Sequence, residues 1–164
     1  MNHQKSSQPY SIHFQQTLTG LGIKAEIKEF PESTRTAQEA ADAIGCEIGQ
    51  IVKSIIFKGA HSKKGILVLT SGKNRVSEGL IRDIIGENLS KASANFVKEQ
   101  SGYSIGAVPP FGHRHPLHVF IDEDIDEYEI LWAAAGSPHA VFPIRFNDLI
   151  KVSQGTVTKV KEEL

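Results

Sequence analysis

Cysteine is nearly missing from this chain. Cys46 is its only one, which excludes an internal disulfide framework. No run is long and apolar enough to read as a membrane span, and the opening MNHQKSSQPY lacks the apolar segment of a secretory signal. These absences make a cytoplasmic setting the default expectation. Charge of one sign is lacking too: 18 Lys and Arg against 19 Asp and Glu leave a net charge of −1 and a pI near 6.7. That balance argues against a protein that coats nucleic acid through a broad basic surface, while leaving room for contact with one strand end. Internal repeats, low-complexity tracts and linkers are absent. So is coiled-coil periodicity, which makes a monomer the default.

What is there fits one ordinary globular domain spanning residues 1–164, 40% hydrophobic and 23% charged, with a core expected to bury roughly 70% of the unfolded surface. The first ten residues are expected to be disordered. Periodicity and breakers predict a helix over 7–20, ended by Gly20 and Gly22, and a strand over 23–30 closed by Pro31. A clearer helix covers 36–45, where Thr36 can cap, Glu39 completes a capping box and Gly45 stops it. Strands follow over 51–58 and 65–71, short helices over 77–86 and 94–100, strands over 116–121, 129–135 and 140–145, a helical turn over 146–150 and a last strand over 156–161. Strands adjacent in sequence and joined by short turns imply an α+β fold, with a mixed, largely antiparallel sheet flanked by helices.

Within the strand IVKSIIFKG, at residues 51–59, Lys53 shares a face with Ile51, Ile55 and Phe57. An ammonium placed so usually has a partner, a shifted pKa or a ligand. The alternative is an edge position from which it snorkels to water. Two loops add specificity. GAVPPFGH at 106–113 sets rigid prolines and an aromatic between glycines, which should hold its backbone extended. The Gly-Ser-Pro-His turn at 136–139 could bring backbone amides, the Ser137 hydroxyl and the His139 ring to one point, or be a plain β-turn. Lys58, Lys63, Lys64, Lys73 and Arg75 cluster around the second and third strands. On one rim they could steer a phosphate-bearing ligand, while Asp122 to Glu129 forms an acidic stretch.

Taken in order, Lys53 with IVKSIIF, LVLTSGKNRV, SGYSIGAVPPFGH, ILWAAAGSPHAVF and FNDLIKV resemble the YbaK-type editing domains, the family that includes the insertion domain of bacterial prolyl-tRNA synthetase and its free-standing relatives. The resemblance runs over about residues 21–152. It implies a barrel-like mixed sheet flanked by helices and hydrolysis of the ester of mischarged aminoacyl-tRNA, chiefly mischarged tRNA for proline. It further implies that activity depends most on Lys53, and that Gly136, Ser137, Pro138 and His139 surround the ester and amino acid. Gly106, Ala107, Pro109, Pro110 and Phe111 would form the pocket wall, and Asn74 and Arg75 would lie near the terminal nucleotide. No cofactor is implied. The implied partners are the acceptor end of mischarged tRNA and, beside it, prolyl-tRNA synthetase or an elongation factor.

Hydrolysing such an ester requires an attacking water, stabilisation of an oxyanion and a fixed ribose. No nucleophile constellation is evident: Cys46 has no convincing paired histidine, and no serine sits in a Gly-x-Ser-x-Gly elbow. Lys53 is therefore expected to orient the terminal adenosine and polarise the ester, with water activated partly by the substrate's own ribose hydroxyl or side chain. His139 is a secondary candidate for recognition or proton transfer, or a turn histidine with a local hydrogen bond. Two rivals stand beside this reading. HRHPLH brings His113, His115 and His118 close in sequence, but the spacing fits neither a zinc finger nor HExxH, and Pro116 breaks any helical register. The other rival is a non-catalytic module that grips a tRNA end or nucleotide, or docks on a synthetase.

Overall fold

A computed structural model describes residues 4–163, with side chains from Pro9 onward. The expectation of disorder over residues 1–10 lies partly outside this range; from Gln4 the backbone is helical. The elements are α1 (Gln4–Gly20), β1 (Lys28–Glu29), α2 (Ala37–Ile44), β2 (Ile51–Gly59), β3 (Gly65–Ser71), α3 (Glu78–Ile85), β4 (Leu89–Lys91), α4 (Ala94–Ser101), β5 (His118–Asp122), β6 (Leu131–Ala134), β7 (Ala140–Ile144), α5 (Phe146–Ser153) and β8 (Thr156–Thr158). Among the described residues no helix is long and apolar enough to cross a membrane.

The strands form one mixed sheet in the order β1-β7-β6-β2-β3-β5-β8, with β4 pairing to β2 off that path. Hairpins make β2–β3 and β6–β7 antiparallel, whereas β2–β6, β3–β5 and β5–β8 are parallel. This is the α+β arrangement that short connections between neighbouring strands demand.

Each face has a different task. On one, Val52, Ile56, Leu67, Leu69 and Ile121 meet Phe14 and Leu18 of α1, together with Phe111 and Phe142, in the main core. The rings of Phe14, Phe111 and Phe142 pack with centroids 5.0 to 5.8 Å apart. On the other, two separate apolar islands form. Ile66, Val68 and Phe120 lie with Ile81 of α3, and Ile55 and Phe57 pack against them. Ile51 lies with Ala40 and Ala41 of α2, flanked by Trp132. Between the islands the sheet presents Lys53 on β2, its cross-strand partner Thr70 on β3, and Asp122 on β5. A polar row thus crosses three strands where neither helix covers them.

Local signals explain most boundaries. The capping box of α2 is formed, with Thr36 Oγ1 accepting from the Glu39 N–H and Glu39 accepting from the Thr36 N–H, and Gly45 closes the helix at φ 81°. The expected strand over 23–30 is a correction: only Lys28 and Glu29 pair, with β7. Ile23, Ala25 and Ile27 do turn inward as their alternation demands. Their backbone, however, is served by a side chain: Gln15 of α1 donates to the Ala25 carbonyl at 3.3 Å and accepts from the Ile27 N–H at 3.4 Å. The helical turn over 146–150 extends to a full helix ending at Ser153, the last strand stops at Thr158 rather than 161, and β4 had no expectation at all.

Candidate functional site

Lys53 opens the site. Its ammonium is half-buried and donates one hydrogen bond, at 3.0 Å, to the Asn74 carbonyl in the turn after β3. An ammonium carries three N–H donors, and the other two have no partner among the described residues. The ammonium is thus tethered to the turn after β3.

The turn that anchors Lys53 is itself fixed by a carboxylate. Asp122 is 1% exposed. Its Oδ2 accepts from the Thr70 hydroxyl at 3.1 Å, the Ser71 N–H at 3.0 Å and the Asn74 side-chain amide at 2.8 Å, while Oδ1 accepts from the Asp124 N–H at 2.9 Å. Asn74 also donates to Asp124 at 2.9 Å, and Lys161 closes the chain with an ion pair to Asp124 at 2.9 Å. Burial of a charge is tolerated only with such saturation. The buried carboxylate holds Asn74, and Asn74 holds the ammonium.

Burial pushes the Lys53 ammonium below its ordinary pKa of 10.5, the negative charge of Asp122 opposes that shift, and Arg75 adds to it. Between the lowered native value and the unfolded one, the unfolded chain binds more protons than the native protein. Native stability gained from this group therefore rises with pH through that window. The difference in urea unfolding free energy between wild type and Lys53→Met is expected to move in favour of wild type from pH 8 to 10.5. A flat or falling difference would contradict the shift.

A cleft of about 390 Å³ contains Lys53. Its walls come from Thr34, Arg35 and Thr36 ahead of α2, from Ile105 and Gly106, and from Trp132 on β6. Gly106 has φ 84°, and a Cβ there would lie 2.2 Å from the Arg35 side chain, so the loop and Arg35 pack directly at the mouth. The ammonium of Lys28 lies 5.1 Å from the Trp132 ring centroid.

The residues expected at the site divide in three. Lys53 and Gly106 line the cleft. Ala107, Pro109, Pro110 and Phe111 are buried behind it, with Phe111 in the main core. Gly136, Ser137, Pro138 and His139 do not line it. Their polar groups are engaged within the protein: Ser137 Oγ accepts from the His139 N–H, His139 Nδ1 lies 3.0 Å from the Glu32 carbonyl, and the Pro138 carbonyl accepts from both the N–H and the hydroxyl of Thr34. The turn works as a bracket that fixes residues 30–34 and so positions the wall ahead of α2. Asn74 stands behind Lys53, and Arg75 is exposed, with an ion pair to Glu162 at 3.9 Å.

Other chemical groups are dispersed. His113 Nε2 is 2.7 Å from the Pro109 carbonyl, and His118 packs on Phe120. Burial raises the Cys46 thiol above its ordinary pKa, the opposite of what an activated nucleophile needs. Lys73, from the basic cluster, is paired with Glu127. Sequence reasoning missed Thr34, Arg35, Trp132 and Asp122. For Asp122 the sequence holds a signal, an acidic residue ending an apolar strand, but the acidic stretch it begins, Asp122 to Glu129, masks it.

Comparison with known proteins gives a consistent result. Residues 31–152 match the family described as aminoacyl-tRNA editing domain. Protein YwhH of Bacillus subtilis, itself uncharacterized, is 30% identical over 128 residues, covering 78% of this chain and 81% of that one. The proline–tRNA ligase of Limosilactobacillus fermentum is 28% identical over 110 residues, 64% of this chain but only 19% of the ligase. A solved structure described as a candidate trans-editing enzyme for prolyl tRNA synthetase superposes with a TM-score of 0.89 at 41% identity, covering 94% of this chain and 98% of that one.

Proposed function

Because the chain belongs to the aminoacyl-tRNA editing domain family, we propose that it acts in trans as a deacylase, hydrolysing the ester of mischarged tRNA, with tRNA for proline as the first candidate. The observation that carries this reading is the Lys53 ammonium, half-buried in a cleft, tied by one hydrogen bond and with two donors unused.

In this reading the terminal ribose and its ester enter the cleft between Gly106 and the segment ahead of α2. Lys53 donates to the carbonyl oxygen of the ester, where negative charge develops as water adds to the carbonyl carbon. Water's oxygen forms the new C–O bond, the bond from carbonyl carbon to ribose oxygen breaks, and water's proton passes to the departing ribose oxygen. Among the described residues that line the cleft none is a carboxylate or a histidine, so the neighbouring ribose hydroxyl or the amino acid's own side chain takes that proton in transit. Arg35 at the mouth and Lys53 inside give the cleft a positive character suited to a phosphate-bearing chain end. Small affinity from the cleft alone would be supplemented by docking on prolyl-tRNA synthetase.

The amino acid removed is decided by a panel. Wild-type protein is incubated with tRNA for proline charged with alanine, cysteine, serine, threonine and proline, and ester loss is followed over time. Selective loss of one or more of the four wrong esters, with prolyl-tRNA spared, is the expected result. Binding of all five without acceleration over the spontaneous rate would instead make the protein a binding module.

A further inference from the structure

A second chamber of about 410 Å³ adjoins the Lys53 cleft and shares Ser54, Ile55, Ile105 and Val108 with it. Most of its wall is apolar, from Ile55 and Phe57 of β2, Val97 of α4, and Ile105 and Val108 of the loop, with Glu78 and Lys91 also lining it. It lies where the sheet is interrupted. On the edge of β2 away from β3, pairing with β6 ends at Val52, and pairing with β4 begins only at Phe57. Among the described residues no strand covers the edge between them.

The direction of the bare backbone groups follows from alternation. The Ile51 carbonyl accepts from the Gly72 N–H at the end of β3, so Ile51, Lys53 and Ile55 aim their backbone groups at β3. Ser54 and Ile56 therefore aim theirs outward, into the gap. The Ser54 carbonyl and the Ile56 N–H stand side by side there as acceptor and donor, and the Ser54 N–H adds a donor. The Ser54 hydroxyl oxygen is also buried without a hydrogen-bond partner. A buried polar atom without a partner is costly, so the Ser54 hydroxyl beside unpaired strand-edge groups on the chamber wall points to a ligand that matches them.

We propose that this interruption is a purine slot that receives the terminal adenine of the tRNA, a reading that rests on the deacylase function above. Adenine presents an amino donor next to a ring-nitrogen acceptor, the complement of the Ser54 carbonyl and the Ile56 N–H. Its two faces fit between Phe57, Val97 and Val108. Guanine, uracil and hypoxanthine present a carbonyl beside an N–H and meet like groups at the same positions. Because both chambers share Ser54 and Ile55, a base held in one places its own ribose toward Lys53 in the other. The amino-acid side chain then stays in the Lys53 cleft, by Thr34 and Trp132.

The test uses an acceptor-stem microhelix charged with the amino acid preferred in the panel and ending in adenosine or in inosine. Wild-type protein is expected to lose about tenfold or more in kcat/KM with inosine, mainly through KM, and adenosine monophosphate is expected to inhibit at about tenfold lower concentration than inosine monophosphate. Val97→Phe, which fills the slot from α4, should erase the discrimination while the variant remains folded. Ala92→Leu fills it from the neighbouring wall and replaces Val97→Phe should that variant unfold. Equal turnover of the two microhelices would overturn the slot and leave deacylation standing, and so would discrimination that survives filling. If no charged RNA is hydrolysed, the functional reading falls, and direct binding of the two monophosphates by NMR judges the slot alone: preference for the adenine form supports it, and equal binding overturns it.

Discussion

Lys53→Ala is expected to lower the rate constant for deacylation by on the order of 10²–10³, the loss typical of removing one oxyanion donor, with the fold retained. The ammonium is the cation inside the cleft, and its position is set from behind by Asn74, so a water or a surface lysine cannot replace it. Stability should change little, since the substitution removes a partly desolvated charge along with one hydrogen bond. Lys53→Arg should restore little, because a planar guanidinium cannot keep both the Asn74 contact and the same approach to the ester. Single-turnover hydrolysis of the preferred mischarged tRNA measures the effect, with circular dichroism and thermal unfolding as fold controls. Normal turnover by a well-folded Lys53→Ala would remove the assignment.

Asp122→Ala is expected to destabilise the protein by about 3–5 kcal/mol. Truncation orphans the Thr70 hydroxyl, the Ser71 and Asp124 N–H groups and one bond of the Asn74 amide in a buried site, at about 1–3 kcal/mol for each lost match and with less than additive sum. Asp122→Asn keeps the shape but turns one acceptor into a donor facing donors, so a smaller loss is expected. The two variants also separate roles. Because Asp122 positions Lys53 through Asn74 and also acts on its charge, Asp122→Asn should lower kcat more than it raises KM, whereas a purely structural carboxylate would lower only the unfolding free energy. Urea unfolding and steady-state kinetics on the same preparations give both numbers. An Asp122→Ala protein within about 1 kcal/mol of wild type would show that the carboxylate does not organise this turn.

The contrast between these two residues shows what a linear reading can reach. Lys53 was legible because a strand has period two, and a cation among Ile51, Ile55 and Phe57 violates that pattern wherever the strand lies. Asp122 was not, since its meaning comes from Thr70 and Asn74, roughly fifty residues away in sequence. The Gly-Ser-Pro-His turn was legible as a turn, but which way its groups aim depends on residues 30–34 coming to lie beside it. The segment 23–27 carries the right alternation and still is not a strand, since Gln15 rather than a neighbouring strand meets its backbone at Ala25 and Ile27.

The chain's order of residues determined by itself whatever depends on near neighbours: the capped helix from Ala37, the hairpin of β2 and β3, the apolar faces, and the misplaced cation. Helix caps and pleat alternation are set within a few residues, where chain connectivity leaves little choice. Tertiary structure alone decided the polar row between two apolar islands, the bracket that holds the cleft wall, and the break in the β2 edge. Each requires segments far apart in the chain to meet at hydrogen-bond distance, and the register of those meetings is fixed by packing of the whole sheet rather than by any local preference.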